Sequence, residues 1–176
     1  MKVQSAPISS LAAGFTIVEL VVVIILLGIL AATALPRFID VDDDAHAAAV
    51  AATVGAFETA LTQARSVWML EAGGSAAENL QVFGNAQDGQ LDFNADGWPS
   101  QQWFGSLEAN PSTGNVADCV SLINGLLRTS LNISAAADAD YQATYLGNGD
   151  CRYTYTATTG FSFDYDSNTG VVTRNF

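Results

Sequence analysis

Residues 15–35 read FTIVELVVVIILLGILAATAL, and only Thr16, Glu19 and Thr33 interrupt the apolar run. A helix rising about 1.5 Å per residue would carry this stretch roughly 30 Å, the thickness of a bilayer's hydrocarbon core. Ahead of it lies MKVQSAPISSLAAG, whose one charge is Lys2. Nothing nearby on the far side competes with that lysine except Arg37, so the N-terminus is expected to start in the cytoplasm, with the chain beyond Pro36 exported. Two fates for the run compete. Ala32-Thr33-Ala34 offers the small-x-small exit of a secretory signal, which would put the mature start at Leu35. Against that, the run is long for a signal, and Glu19 is out of place in one. An ionised carboxylate at the bilayer centre costs about 3 kcal/mol on insertion scales, less if it lies near the interface.

Charge narrows the functional classes. The chain of 176 residues holds 18 Asp+Glu against 6 Lys+Arg, a formal net charge of −12. A nucleic-acid partner is not expected, because phosphates are neutralised by Lys and Arg. A polybasic membrane-surface module fails for the same reason. One histidine, His46, and two cysteines are too few for a His/Cys zinc site. The length suits one domain with a modest core.

Gly14-Phe15-Thr16-Ile17-Val18-Glu19, running into unbroken Val, Ile and Leu, resembles the N-terminal signature of type IV prepilins and the related pseudopilins. Pro36-Arg37-Phe38 makes it most similar to the mannose-sensitive haemagglutinin (MSHA) group. The resemblance implies three segments. Residues 1–14 are a leader, cut by a prepilin peptidase between Gly14 and Phe15, after which the Phe15 amine is methylated. Residues 15–35 are first a membrane anchor and then a filament-core helix. Residues 36–176 are the exported half of the helix plus a globular head. The implied partners are membrane lipid, the inner-membrane assembly machinery and, finally, other pilin copies. The implied route runs from the inner membrane of a Gram-negative-type bacterium, head in the periplasm, to an extracellular pilus. In the assembled core, Glu19 is expected to pair with the Phe15 amine of a neighbour, since either charge alone would be costly there.

Beyond the run, Val50, Val54, Phe57, Leu61, Ala64 and Trp68 recur at steps of four and three, an amphipathic helical stripe. Gly73-Gly74-Ser75 is the expected stop. Gly28 and Pro36 are expected to bend or locally melt the helix. Asp40, Asp42, Asp43 and Asp44 read as a solvated acidic turn or as a face for basic groups of adjacent subunits. The fold class expected is α+β, with a long N-terminal helix, membrane-spanning in its first half and amphipathic in its second, packed on a small antiparallel sheet.

Asp92-Phe93-Asn94-Ala95-Asp96-Gly97 opens like a calcium loop, with Asp92, Asn94 and Asp96 as the oxygen ligands. Its twelfth position is Trp103 rather than a bidentate glutamate, so no cofactor is assigned. The competing reading is a strand through Leu91 and Phe93 followed by an Asn-Ala-Asp-Gly turn. Asp164, Asp166, Asn168 and Gly170 make a weaker version of the same pattern. Trp98, Trp103 and Phe104 could form a sugar-binding face if exposed, or simply core. Val116, Val120, Ile123 and Leu127 are spaced for a short helix, which Gly125 weakens. Tyr153 and Tyr155, then Phe161, Phe163 and Tyr165, then Val171 to Thr173, read as a three-stranded antiparallel meander with an aromatic inner face. Cys119 and Cys151 lie on the exported side, where oxidation is permitted. A bridge between them would close a loop of about 32 residues and would match the C-terminal disulfide region common in type IV pilins; a redox pair lacks the CxxC spacing.

The expected function is therefore a structural subunit of a type IV pilus, serving attachment or motility. The alternatives are a pseudopilin of a type II secretion system and a secreted or anchored acidic binding domain. No enzyme is expected, since no catalytic grouping stands out.

Overall fold

Alanine-rich sequence favours helix wherever packing does not object, and the first element, α1, runs unbroken over Ile17–Glu71, 55 residues. The structure is a computed structural model that describes residues 14–105 and 107–176, with backbone alone over 34–41. The expected leader, apart from Gly14, and the side chains of Pro36, Arg37, Phe38 and Asp40 lie outside the described residues. Two compact units divide the chain, one ending at Asp44 and the other spanning Ala45–Phe176. The helix continues through Gly28 and Pro36, so the expected local melting is not found. Pro36 has no N–H to give the ladder, yet the helical backbone runs on past it. Among the described residues no helix is long and apolar enough to cross a membrane; the apolar stretch whose side chains are described ends at Thr33.

In the second unit all six residues of the amphipathic stripe are buried. The helix stops as expected: Gly73 and Gly74 take φ of +62° and +86°, the left-handed region that glycine enters without a Cβ penalty. The Trp68 indole N–H then donates to Ser75 O at 2.7 Å and ties the exit down.

Two sheets follow, where the sequence suggested one. The first is antiparallel and joins β1 (Ala77–Gln81), β2 (Gln90–Phe93) and β3 (Pro99–Gln101) in that order. The second has five strands in sequential order: β4 (Ile133–Ser134), β5 (Tyr141–Gly147), β6 (Asp150–Tyr155), β7 (Ser162–Asp166) and β8 (Val172–Asn175). The expected meander is β6 to β8. It is widened by β5 and closed by a parallel β4–β5 pair, so the sheet is not purely antiparallel.

Phe57 from α1 carries the aromatic core, with its ring 5.9, 5.5 and 5.4 Å from those of Tyr153, Phe163 and Tyr165. Buried phenols need partners, and both find them: Tyr153 donates to Cys119 O and Tyr165 to Pro99 O. Burial pushes both phenols well above their ordinary range, so they stay neutral donors.

Helix α2 (Val116–Leu127) begins with a capping box, Asn115 and Asp118 satisfying each other's backbone N–H. Gly125 gives the buried Leu91 room, because a Cβ there would sit 2.8 Å from Leu91 Cδ2 and would force that side chain to shift. Cys119 in α2 is bridged to Cys151 in β6 across 32 residues of sequence. In the chain-entropy model that closure stabilises the fold by about 3.5–4 kcal/mol.

Every described arginine is engaged within the chain. Arg128 meets Asp88, Arg152 meets Asp164 and Arg174 meets Glu58. Arg65 donates to the carbonyls of Asp96 and Gly97 and lies 3.9 Å over the Trp98 ring.

Candidate assembly site at the start of the long helix

The first turn of α1 is built by four residues. Gly14, Phe15 and Thr16 are not helical, and the helix begins at Ile17. The Thr16 hydroxyl accepts from Glu19 N at 3.2 Å, while Glu19 Oε2 accepts from both Thr16 N and Thr16 Oγ1, at 3.2 and 3.0 Å. This is a reciprocal capping box, with Thr16 as N-cap and Glu19 three residues on. It gives Glu19 a role within its own chain, where only a pairing between subunits was expected. The signal was present: Thr-x-x-Glu immediately before an apolar helix is the standard pattern of a helix start. The other carboxylate oxygen, Oε1, has no hydrogen-bond partner among the described residues.

Around and beyond this cap the surface is apolar on all sides. From Phe15 to Leu30, the Val, Leu, Ile and Phe side chains keep between 42% and 81% of their surface exposed. Fully burying a side chain of this kind is worth about 1.5–3 kcal/mol, so the segment carries a large association energy that its own chain does not collect. A contiguous apolar surface of this extent marks a site for partners or lipid.

The structure separates the other candidates. Asp42, Asp43 and Asp44 are exposed one after another on α1. His46 Nδ1 lies 3.1 Å from the Tyr155 hydroxyl, within the second unit. Trp98, Trp103 and Phe104 do not share one exposed face: Trp98 is half-buried beneath Arg65 and against Gly170, while Trp103 and Phe104 are exposed.

The Asp92–Gly97 segment is a hairpin connection. Gly97 N donates to Asn94 O, and Gly97 has a φ of +77°. Asp92 is buried, with one oxygen taking Asn79 N and the other Trp103 N. Its burial raises the carboxyl pKa, Glu78 and Glu108 add to the rise, and the two N–H donors oppose it. Asn94 Oδ1 accepts from Asp96 N and Trp98 N, and Asn94 Nδ2 donates to Ser167 O. These oxygens are committed to shaping the turn. Among the described residues no group of three or more His, Cys, Asp or Glu is placed to hold a metal ion. Asp164 is paired with Arg152, and Asp166 accepts from Asn168 N and the Thr169 hydroxyl.

Over 123 residues the chain is 34% identical to the type IV narrow pilus major component PilA5 of Thermus thermophilus, an alignment covering 70% of this chain and 97% of that protein. No family model matches the chain, and neither does any solved structure.

Proposed function

The chain belongs to the type IV pilin family, and on that premise we propose that it is a structural subunit of a type IV pilus, assembled through the first half of α1. The observation that carries this reading is the all-round exposure of the apolar side chains from Phe15 to Leu30. In this proposal residues 15–35 lie in the inner membrane until assembly, and the same side chains then exchange lipid for neighbouring helices in the filament core. Apolar burial changes little in that exchange, so register has to come from polar groups.

Glu19 fits that task. Its Oε2 holds the cap at Thr16, which leaves Oε1 for a cation. Cleavage between Gly14 and Phe15 by a prepilin peptidase supplies one, the methylated Phe15 amine of an adjacent subunit. A charge pair of this kind is tolerated in a dry core only when both members are present. Pro36-Arg37-Phe38 further supports a place in the MSHA-like group, and the acidic head faces outward for attachment.

The test is the intact mass and N-terminal sequence of the protein recovered from sheared surface filaments. The expected result is a start at N-methylated Phe15 with two hydrogens missing at the cysteines. A start at Leu35, without filament association, overturns the proposal in favour of a secreted acidic domain. Glu19→Lys separately tests the pairing: filaments should be lost, and normal assembly by this variant would sink that role.

A further inference from the structure

Three turns of the head and one loop segment converge on one cavity of about 460 Å³, inside the roughly 300–1,000 Å³ range of small-molecule sites. They are the β2–β3 turn at Asn94 to Asp96, the segment Asn110 to Gly114 before α2, the β5–β6 turn at Asn148 and Gly149, and the β7–β8 turn at Ser167 and Asn168. Most sites of this size are lined by apolar and aromatic side chains. This one is lined by amides, hydroxyls, a tyrosine and one carboxylate, with no Lys, Arg or His.

Much of that polar lining is unused. Among the described residues, the Asp96 carboxylate, the Ser112 hydroxyl and the Asn148 amide make no side-chain hydrogen bond within the protein. Asn110 accepts through Oδ1 from Ala95 N, which leaves its NH₂ free to donate. The Tyr145 hydroxyl accepts from Gly149 N, so its own proton remains available. Gly149 is buried, and a Cβ there would meet Asn168 Nδ2 and Ser167 Oγ at 2.7 Å. The glycine therefore lets the β7–β8 turn pack directly on the β5–β6 turn, where Ser167 N donates to Gly149 O, and so fixes one wall of the cavity.

The lining selects the ligand by chemistry. An anion finds no cation in the cavity and meets the Asp96 carboxylate in a chain of charge −12. A metal ion finds a single acid. An apolar ligand would strand the free donors and acceptors, at about 1–3 kcal/mol for each group left unpaired. What remains is a neutral molecule dense in hydroxyls, each able to donate and accept, with C–H faces for the Tyr145 ring. We propose that this cavity is a binding site for a neutral saccharide. The inference rests on the pilus reading only for its setting on a surface filament; the binding itself is a property of the head.

The test uses the full chain in a detergent without a sugar headgroup, probed with mannose, galactose, N-acetylglucosamine and sialic acid by saturation-transfer NMR and calorimetry. At least one neutral sugar should bind with a Kd of about 0.1–5 mM, the weak end of specific recognition. Asp96→Ala and Asn148→Gly should each weaken that binding about tenfold without shifting the thermal midpoint. Both side chains are exposed, and glycine suits the φ of +53° at Asn148. No binding by any neutral sugar, equal binding by both variants, or a preference for sialic acid would each overturn the proposal. Filament assembly is scored in the same strains, so loss of the sugar site and failure of the pilus reading give different results.

Discussion

The two ends of α1 are made of similar residues and meet opposite surroundings. Between Val50 and Trp68, the stripe side chains lie at 7% exposure or less, packed on the head. Between Ile17 and Leu30, none of the large apolar side chains falls below 42%. The difference lies in pattern rather than in apolar content. A stripe on one face calls for a partner on one side, and the head supplies it. An apolar surface on every side calls for partners all round, which one sheet of one chain cannot provide. One helix thus serves two cohesive systems, one internal to the subunit and one external to it.

The sharpest way to break this comparison is to put a charge in the outward-facing half. Ile25→Asp should abolish filaments by electron microscopy while changing the head's unfolding free energy by less than about 0.5 kcal/mol, as for a surface substitution. A destabilised head would show that the halves are not separate systems. Next in size is Phe57→Ala in the inward-facing half, expected to cost the head about 3–5 kcal/mol. Its three aromatic neighbours would then lose their common contact. Chemical denaturation reads this directly, and a loss below about 1 kcal/mol would show that the core can close over the gap.

A pair of glycines sharpens the same contrast. Gly125→Ala should destabilise the head by about 1–3 kcal/mol, because its Cβ would drive into Leu91. Gly28→Ala meets nothing within 4 Å and should favour α1 by about 0.5–1 kcal/mol, the ordinary gain of alanine over glycine in a helix. The comparison is weakened if the two substitutions shift their respective melting curves alike.

The smallest effect is one of pH. The Arg152 guanidinium, hydrogen-bonded to Asp164, holds that carboxyl below its ordinary value, against a smaller opposing effect of burial. A folded pKa below the unfolded one contributes stability that is present above the unfolded value and is lost as pH falls through the folded one. The pair is partly exposed, so its worth is under about 1 kcal/mol. Wild type and Arg152→Met should therefore differ in denaturation midpoint at pH 7 and converge in acid. A gap that is unchanged at low pH would remove the ion pair as its cause.

How far the molecule could be read from its sequence depended on the range of each signal. The stripe of α1, its glycine stop, α2 and strands β6 to β8 all follow local periodicity or turn chemistry, and each appears where expected. Strand β5 carried a readable pattern in Tyr141, Ala143 and Tyr145 ahead of Gly-Asn-Gly, which the meander reading stopped short of. The two-residue β4 has no period to detect and exists only because β5 lies beside it. The cap at Thr16 and Glu19 was legible by spacing but was eclipsed by the apolar run that follows. The polar cavity of the head was not legible at all: its four lining stretches lie far apart in sequence, and only the tertiary fold brings them together.

The engagement of every described arginine within its own chain reaches beyond the single subunit. Such a subunit offers its neighbours acidic groups and no spare guanidinium among the described residues. A filament made of these units behaves as a polyelectrolyte, a line of fixed negative charge wrapped in counterions. At physiological salt its repulsion reaches about 8 Å, the Debye length. Magnesium should therefore gather such filaments into bundles more readily than sodium at matched ionic strength, a difference that light scattering resolves. The ionic composition of the surroundings then sets whether these fibres stand apart or lie side by side.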